Sequence, residues 1–125
     1  SRDWGFAGDY AEGMYLMMQY SAPEDWVLAT GESHKVREFV EKAFLVVDLN
    51  WEKYVEISEK YFRPNEVEHL LGDASKAKKY LGWKPKTSFD ELIEIMVKED
   101  MKLAEKEKIL MESNLLKPTW ENPKG

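Results

Sequence analysis

Tyr61-Phe62-Arg63-Pro64-Asn65-Glu66-Val67-Glu68-His69-Leu70-Leu71-Gly72-Asp73 is the stretch on which the reading of this chain turns. Upstream of it runs a segment with strand-like alternation, and downstream the pattern is almost entirely helical. The stretch itself carries a fixed cation, a rigid proline and, at Glu66, a carboxylate one helical turn past the arginine. A guanidinium suits a phosphate because its planar fork presents paired N–H donors and never loses its charge. A carboxylate accepts hydrogen bonds from sugar hydroxyls. Arg63 and Glu66 together could therefore hold the diphosphate and ribose of a nucleotide. The plainer reading makes Arg63 one half of a surface ion pair at a strand end. On spacing alone that is the commoner outcome, because such pairs are frequent and weak.

The 125 residues suffice for one ordinary domain with a core of its own. Aromatic side chains are plentiful, which argues against disorder. A net charge of -6 argues against duplex nucleic acid as a partner, since phosphate binding wants a basic face. The absence of cysteine excludes disulfides, thiolate chemistry and cysteine-ligated zinc. No run is apolar enough to span a membrane and no signal peptide is visible, so no membrane partner is expected and a cytoplasmic location is the default. The opening Ser1-Arg2-Asp3-Trp4 reads as interior sequence, a tag remnant or the end of a leader.

Glycines at positions 5 and 8 mark residues 2–8 as an irregular lead-in. A helix is expected from Asp9, as N-cap, to Tyr20, with Tyr10, Ala11, Met14, Met17 and Met18 on one face. Tyr15 and Leu16 broaden that face until it needs cover on more than one side. Methionines at this spacing are far more often core filler than a binding box. Trp26-Val27-Leu28-Ala29-Thr30 reads as a strand buried on both faces, whose partners would be missing or lie in another copy. Ser33 should open a helix bearing Val36, Phe39, Val40, Ala43, Phe44 and Val47, with His34 a surface or capping residue in its first turn. Residues 49–61 alternate as a strand with one wet face, bent near Lys53 and Tyr54. Asp73 should cap a helix over 74–81 that Gly82 closes, and Ser88 to Glu91 reads as a capping box for a long final helix. The tail from Asn114 should be loose.

Other chemistries leave no mark. There is no glycine-rich turn for a dinucleotide and no phosphate-binding loop. His34 and His69 sit in no metal-ligand motif. No tyrosine–lysine pair falls one turn apart within a helix, and no serine has a matching histidine and aspartate.

Several blocks in order carry a resemblance. They are Arg2-Asp3-Trp4-Gly5, then Asp9-Tyr10 with the methionine-rich helix, Ala29-Thr30-Gly31-Glu32-Ser33-His34-Lys35-Val36-Arg37-Glu38-Phe39, Tyr61-Phe62-Arg63-Pro64-Asn65-Glu66, and Leu81-Gly82-Trp83-Lys84-Pro85. Together they resemble the C-terminal, substrate-binding part of the GDP-mannose 4,6-dehydratase family, within the extended short-chain dehydrogenase/reductases. Leu-Gly-Trp-Lys-Pro alone recurs across nucleotide-sugar enzymes; the combination with the first and fourth blocks is more specific. The resemblance implies an enzyme that dehydrates GDP-mannose with tightly bound NADP. Its cofactor site and its catalytic Thr, Glu, Tyr and Lys would lie outside this sequence, so neither a cofactor nor a catalytic residue is expected here. It further implies that Arg2 contacts the substrate nucleotide, Arg63 its diphosphate, and Glu66 the region of the guanosine ribose.

The expected fold is thus a helix-rich α/β portion of a Rossmann-type protein, with about five helices and two or three short strands. Residues 1–32 would be a remnant of the nucleotide-binding domain, 33–112 the substrate lobe and 113–125 a tail. The expected function is weak binding of GDP-mannose or GDP by a truncated chain that is inactive alone, with a homodimer forming through residues 9–30. Two alternatives stand beside it: a relic acting as a self-associating helical interaction module, and the substrate lobe of another nucleotide-sugar epimerase or dehydratase.

Overall fold

The computed structural model describes residues 1–58, 69–113 and 115. Arg63 and Glu66, with the end of the expected 49–61 strand and most of the expected tail, lie outside the described residues. The described elements are β1 (Arg2–Asp3), α1 (Ala7–Gln19), β2 (Ser33–His34), α2 (Val36–Val46), a single 3-10 turn at Trp51–Lys53, α3 (Ser75–Leu81) and α4 (Phe89–Glu112). This is a helix-rich α/β architecture. Its small sheet pairs β1 with β2 antiparallel, setting Arg2 opposite His34 and Asp3 opposite Ser33. Two compact units make up the chain, Ser1–Glu94 and Ile95–Gly125.

The first unit is held together by what helices present to one another and to the loops. Its buried apolar residues are Ala29, Ala77, Trp83, Phe89, Leu92 and Ile93. Gly13 sits on the inner face of α1 because nothing larger fits there. A Cβ at that position would stand 2.5 Å from Leu28 Cδ1 and 3.0 Å from the Trp83 indole nitrogen. Trp4 stacks on Phe39 at 4.8 Å between ring centres, and Phe89 closes the cluster edge-on to Phe39. The outer face of α1 is bare, with Met14, Tyr15 and Met18 each more than half exposed. The second-side cover expected for this helix is thus not supplied among the described residues.

Local signals set several boundaries as expected. Gly82 takes the left-handed conformation at φ 66°, and the Trp83 N–H bonds back to the Ala77 carbonyl, closing α3. At the other end of α3 the expectation is corrected: Ala74 is the N-cap, and Asp73, one residue before it, accepts from the Ser75 N–H at 2.9 Å. Glu91 accepts from the Ser88 N–H at 2.8 Å while Ser88 Oγ accepts from the Glu91 N–H, a reciprocal box at the start of α4. In the second unit α4 continues with exposed pairs such as Lys102 to Glu99, which contribute little individually.

Elsewhere the structure corrects the pattern. Asp9 is not the N-cap of α1; Phe6 is, and Asp9 lies buried in the first turn. Ser33 and His34 form β2 rather than a helical turn, and α2 starts at Val36, where the Glu38 carboxylate accepts from the Lys35 N–H at 2.8 Å. Residues 26–30 are not a strand. A strand needs a neighbour, and here the Thr30 N–H goes to the Asp3 carboxylate instead. Trp26 meets Tyr20 edge-on with the Lys76 ammonium over its ring. The described part of the 49–61 strand also fails. Asn50 accepts from the Glu52 N–H and starts the 3-10 turn, while Arg37 packs over Trp51 at 5.4 Å.

Candidate functional site

Of the three residues expected to contact a ligand, Arg2 is the one among the described residues. Strand pairing with His34 fixes its backbone. Its guanidinium Nη1 donates to the Ser1 carbonyl at 2.8 Å. The same carbonyl accepts from the Leu70 N–H at 3.2 Å. Next along β1, Asp3 gathers two distant chain segments onto one carboxylate. Its Oδ1 accepts from the Thr30 N–H at 2.9 Å and the Thr30 hydroxyl at 2.6 Å. Its Oδ2 accepts from the Gly31 N–H at 3.0 Å and the Gly72 N–H at 3.3 Å. Burial pushes the Asp3 carboxyl up, but the donors from Thr30, Gly31 and Gly72 more than offset it, and its pKa falls below the ordinary value. Gly31 reaches this arrangement at φ 79°, and Gly72 lies so close to Ala29 that a Cβ there would come within 2.2 Å of its methyl.

Asp9 plays a similar part on the other side of the unit. Its Oδ2 accepts from the Lys86 and Thr87 N–H groups at 3.0 and 2.9 Å, and its carbonyl accepts from the buried Trp83 indole at 2.7 Å. Between these two anchors lies a cavity of about 230 Å³ lined by Trp4, Thr30, Glu32, His34, Lys86 and Ser88, among others. His34 is therefore neither a cap nor a surface residue. Its ring lies flat on Phe89, 3.8 Å between centres, and its backbone carbonyl accepts from the Trp4 indole at 3.3 Å. Its buried Nε2 makes no hydrogen bond. The Glu32 carboxylate lies 3.5 Å from it, and Glu38 lies 3.5 Å from Nδ1.

The described residues do not fit a dinucleotide. A pyrophosphate needs bare glycine backbone between a strand and a helix. β2 passes into α2 through Lys35. β1 passes into α1 through Gly5, but the Tyr10 side chain fills the space over that glycine, 2.0 Å from where a Cβ would stand. Burial, and then the charges of Asp3 and Asp9, push the Tyr10 hydroxyl up. No group of three His, Cys, Asp or Glu side chains could hold a metal among the described residues. Nor is any described helix long and apolar enough to cross a membrane.

Sequence reading singled out Arg2 but missed Asp3, Asp9 and His34. Their partners stand far off along the chain, so no local pattern announces them. The one available signal was the pair Gly31 and Gly72, two glycines outside any helix.

The frame just described is that of a helix-rich α/β chain with its polar anchors on loops. A family model described as GDP-mannose 4,6 dehydratase matches residues 1–96 of the 125. The chain is 56% identical over 116 residues to GDP-mannose 4,6 dehydratase 1 of Arabidopsis thaliana, covering 93% of this chain and 32% of that protein. It is 52% identical to the GDP-mannose 4,6 dehydratase of Dictyostelium discoideum, over 80% of this chain and 33% of that one. Against the GDP-mannose 4,6 dehydratase of Homo sapiens the identity is 48%, over 82% of this chain and 32% of that one. This chain belongs to the GDP-mannose 4,6-dehydratase family. It spans about a third of the length of the curated relatives it matches.

Proposed function

We propose that this chain is the GDP-sugar-binding portion of a GDP-mannose 4,6-dehydratase, with GDP-mannose or GDP as its ligand. Family membership over residues 1–96 is the observation that carries the reading. The placement of Arg2 supports it, because strand pairing with His34 holds its backbone in place and a guanidinium makes charge-assisted contacts to a nucleotide. On this reading Arg63 takes the diphosphate and Glu66 the ribose. Among the described residues there is no NADP cradle, and NADP supplies the hydride chemistry of the reaction, so on this reading the chain acts as a binding unit. A cytoplasmic location belongs to the same proposal.

Calorimetric titration with GDP, GDP-mannose, UDP and dTDP sugars tests it. Weak binding confined to the guanosine ligands is expected. Arg2→Ala and Arg63→Ala should each weaken it by losing a charge-assisted contact of about 1.5–3 kcal/mol. Affinity untouched by either change, or equal affinity for all three nucleotides, sinks the assignment. A second reading is favoured by one observation, the exposed apolar row Met14, Tyr15, Met18 and Val27. It makes residues 9–30 a surface for pairing two copies, and it is compatible with the first.

A further inference from the structure

Residues 69–72 are fastened to the β-sheet at three points. The Leu70 N–H donates to the Ser1 carbonyl at 3.2 Å. The Gly72 N–H donates to the Asp3 carboxylate at 3.3 Å. The His69 ring and the Ser33 hydroxyl share a hydrogen bond at 3.3 Å. Ser1 and Asp3 stand on either side of Arg2, and Ser33 is the strand partner of Asp3. Only one of the three attachments, at Asp3, is to an ionised group, and hydrogen bonds to a charge are the stronger kind. That carboxylate has nothing left to offer a ligand. A carboxylate has about four acceptor positions, and the two donors of Thr30 with those of Gly31 and Gly72 fill them. The glycines make the gathering possible, since Gly72 must pass against Ala29 and Gly31 must turn through positive φ to aim its N–H. Such backbone geometry, gathered around one side chain whose acceptor positions are filled, points to a mechanical task.

We propose that Asp3 is a positioning residue: its carboxylate clamps residues 69–72 to the strand that carries Arg2, and so fixes where the Arg2 guanidinium stands toward a bound nucleotide. The second half of this statement rests on the function proposed above; the clamp itself does not. Asp3→Asn keeps the shape and one acceptor oxygen but turns the other position into a donor, which cannot serve both the Thr30 side and the glycine side. Thr30→Val, which removes one donor and leaves the Gly72 bond in place, is the control.

Two measurements decide. Amide hydrogen exchange in the free chain should quicken at Leu70 and Gly72 in Asp3→Asn and stay near wild type there in Thr30→Val, with the helices of both variants intact by circular dichroism. GDP titration should then show affinity reduced about tenfold in Asp3→Asn, the size of one misplaced charge-assisted bond, although Arg2 is untouched. Should Asp3→Asn not fold, Gly72→Ala provides the same readouts by pushing the loop off Ala29. Unchanged exchange at Leu70 and Gly72 overturns the clamp whether or not GDP binds. Quickened exchange with unchanged GDP affinity overturns the positioning. Absence of GDP binding in the wild type overturns the proposed function and the positioning with it, and the exchange result then settles the clamp alone.

Discussion

Asp9 is only 6% exposed, and the partners of its carboxylate are backbone amides on the far side of the unit. Removing it leaves the Lys86 and Thr87 N–H groups without their carboxylate acceptor at a part-buried site. Asp9→Ala should therefore cost about 1–3 kcal/mol for each amide left unpaired, read as a lower denaturation midpoint. A midpoint within experimental error of wild type would show that water replaces the carboxylate freely. Asp3 gives a pH dependence. Its folded pKa lies below the unfolded value, so its contribution to stability is complete above about pH 4 and is lost as the pH falls through the lower folded value. Wild type should lose stability on acidification in that window, and Asp3→Asn should show a shallower slope there. Equal slopes would mean the Asp3 donors are not specific to the charged form. Neither role is visible in the sequence, where both residues look like ordinary aspartates near the start of a helix; their meaning comes from amides dozens of positions away.

Elements that speak through their own ends were readable. Gly82 announced the end of α3, and Ser88 with Glu91 announced the start of α4, because capping is settled within one turn of chain. Gly82→Ala should cost about 1 kcal/mol, since its φ of 66° is unfavourable for any residue with a Cβ. The surroundings of that absent Cβ are open, so a larger loss would reveal a packing role the geometry does not contain. Differential scanning calorimetry is the measurement. Strands were less readable, for a physical reason. Trp26 to Thr30 and the alternation around Trp51 and Val55 have the composition of strands, but a ladder requires a neighbour at hydrogen-bonding distance. The described sheet has room for two residues per strand. The Thr30 amide and the Asn50 side chain therefore settle for local or carboxylate partners.

At the scale of the whole molecule, its oligomeric state is the open quantity. Met14, Tyr15, Met18 and Val27 stand exposed, whereas Leu28 packs against Gly13. Large apolar side chains exposed on one helix face, as at Met14 and Met18, invite burial against a partner. Sedimentation over a wide concentration range should therefore show reversible dimers, and Met18→Lys should dissociate them without changing the helical content. A charge at Leu28 would instead disturb the packing of α1 itself. A strictly monomeric wild type at high micromolar concentration removes the pairing surface from consideration. Which family the chain belongs to was legible from blocks such as Arg2-Asp3-Trp4-Gly5 and Leu81-Gly82-Trp83-Lys84-Pro85. The three-dimensional use of those blocks was not, because Arg2, Trp4 and Trp83 take their surroundings from distant loops.

The bonds that seat α1 span 74, 77 and 78 positions, from Asp9 to Trp83, Lys86 and Thr87. That separation is also an interval of time. During synthesis at about 5–20 residues per second, the far partners emerge roughly 4–16 seconds after Asp9, while a helix can form and melt within about a microsecond. For that whole interval the methionine-rich helix lacks the bonds to Trp83, Lys86 and Thr87 that seat it, and is a natural target for holding chaperones. Protease protection of α1 on stalled nascent chains should appear only once residue Thr87 has cleared the ribosome, and protection in chains released no further than Tyr80 would place the seating of that helix elsewhere.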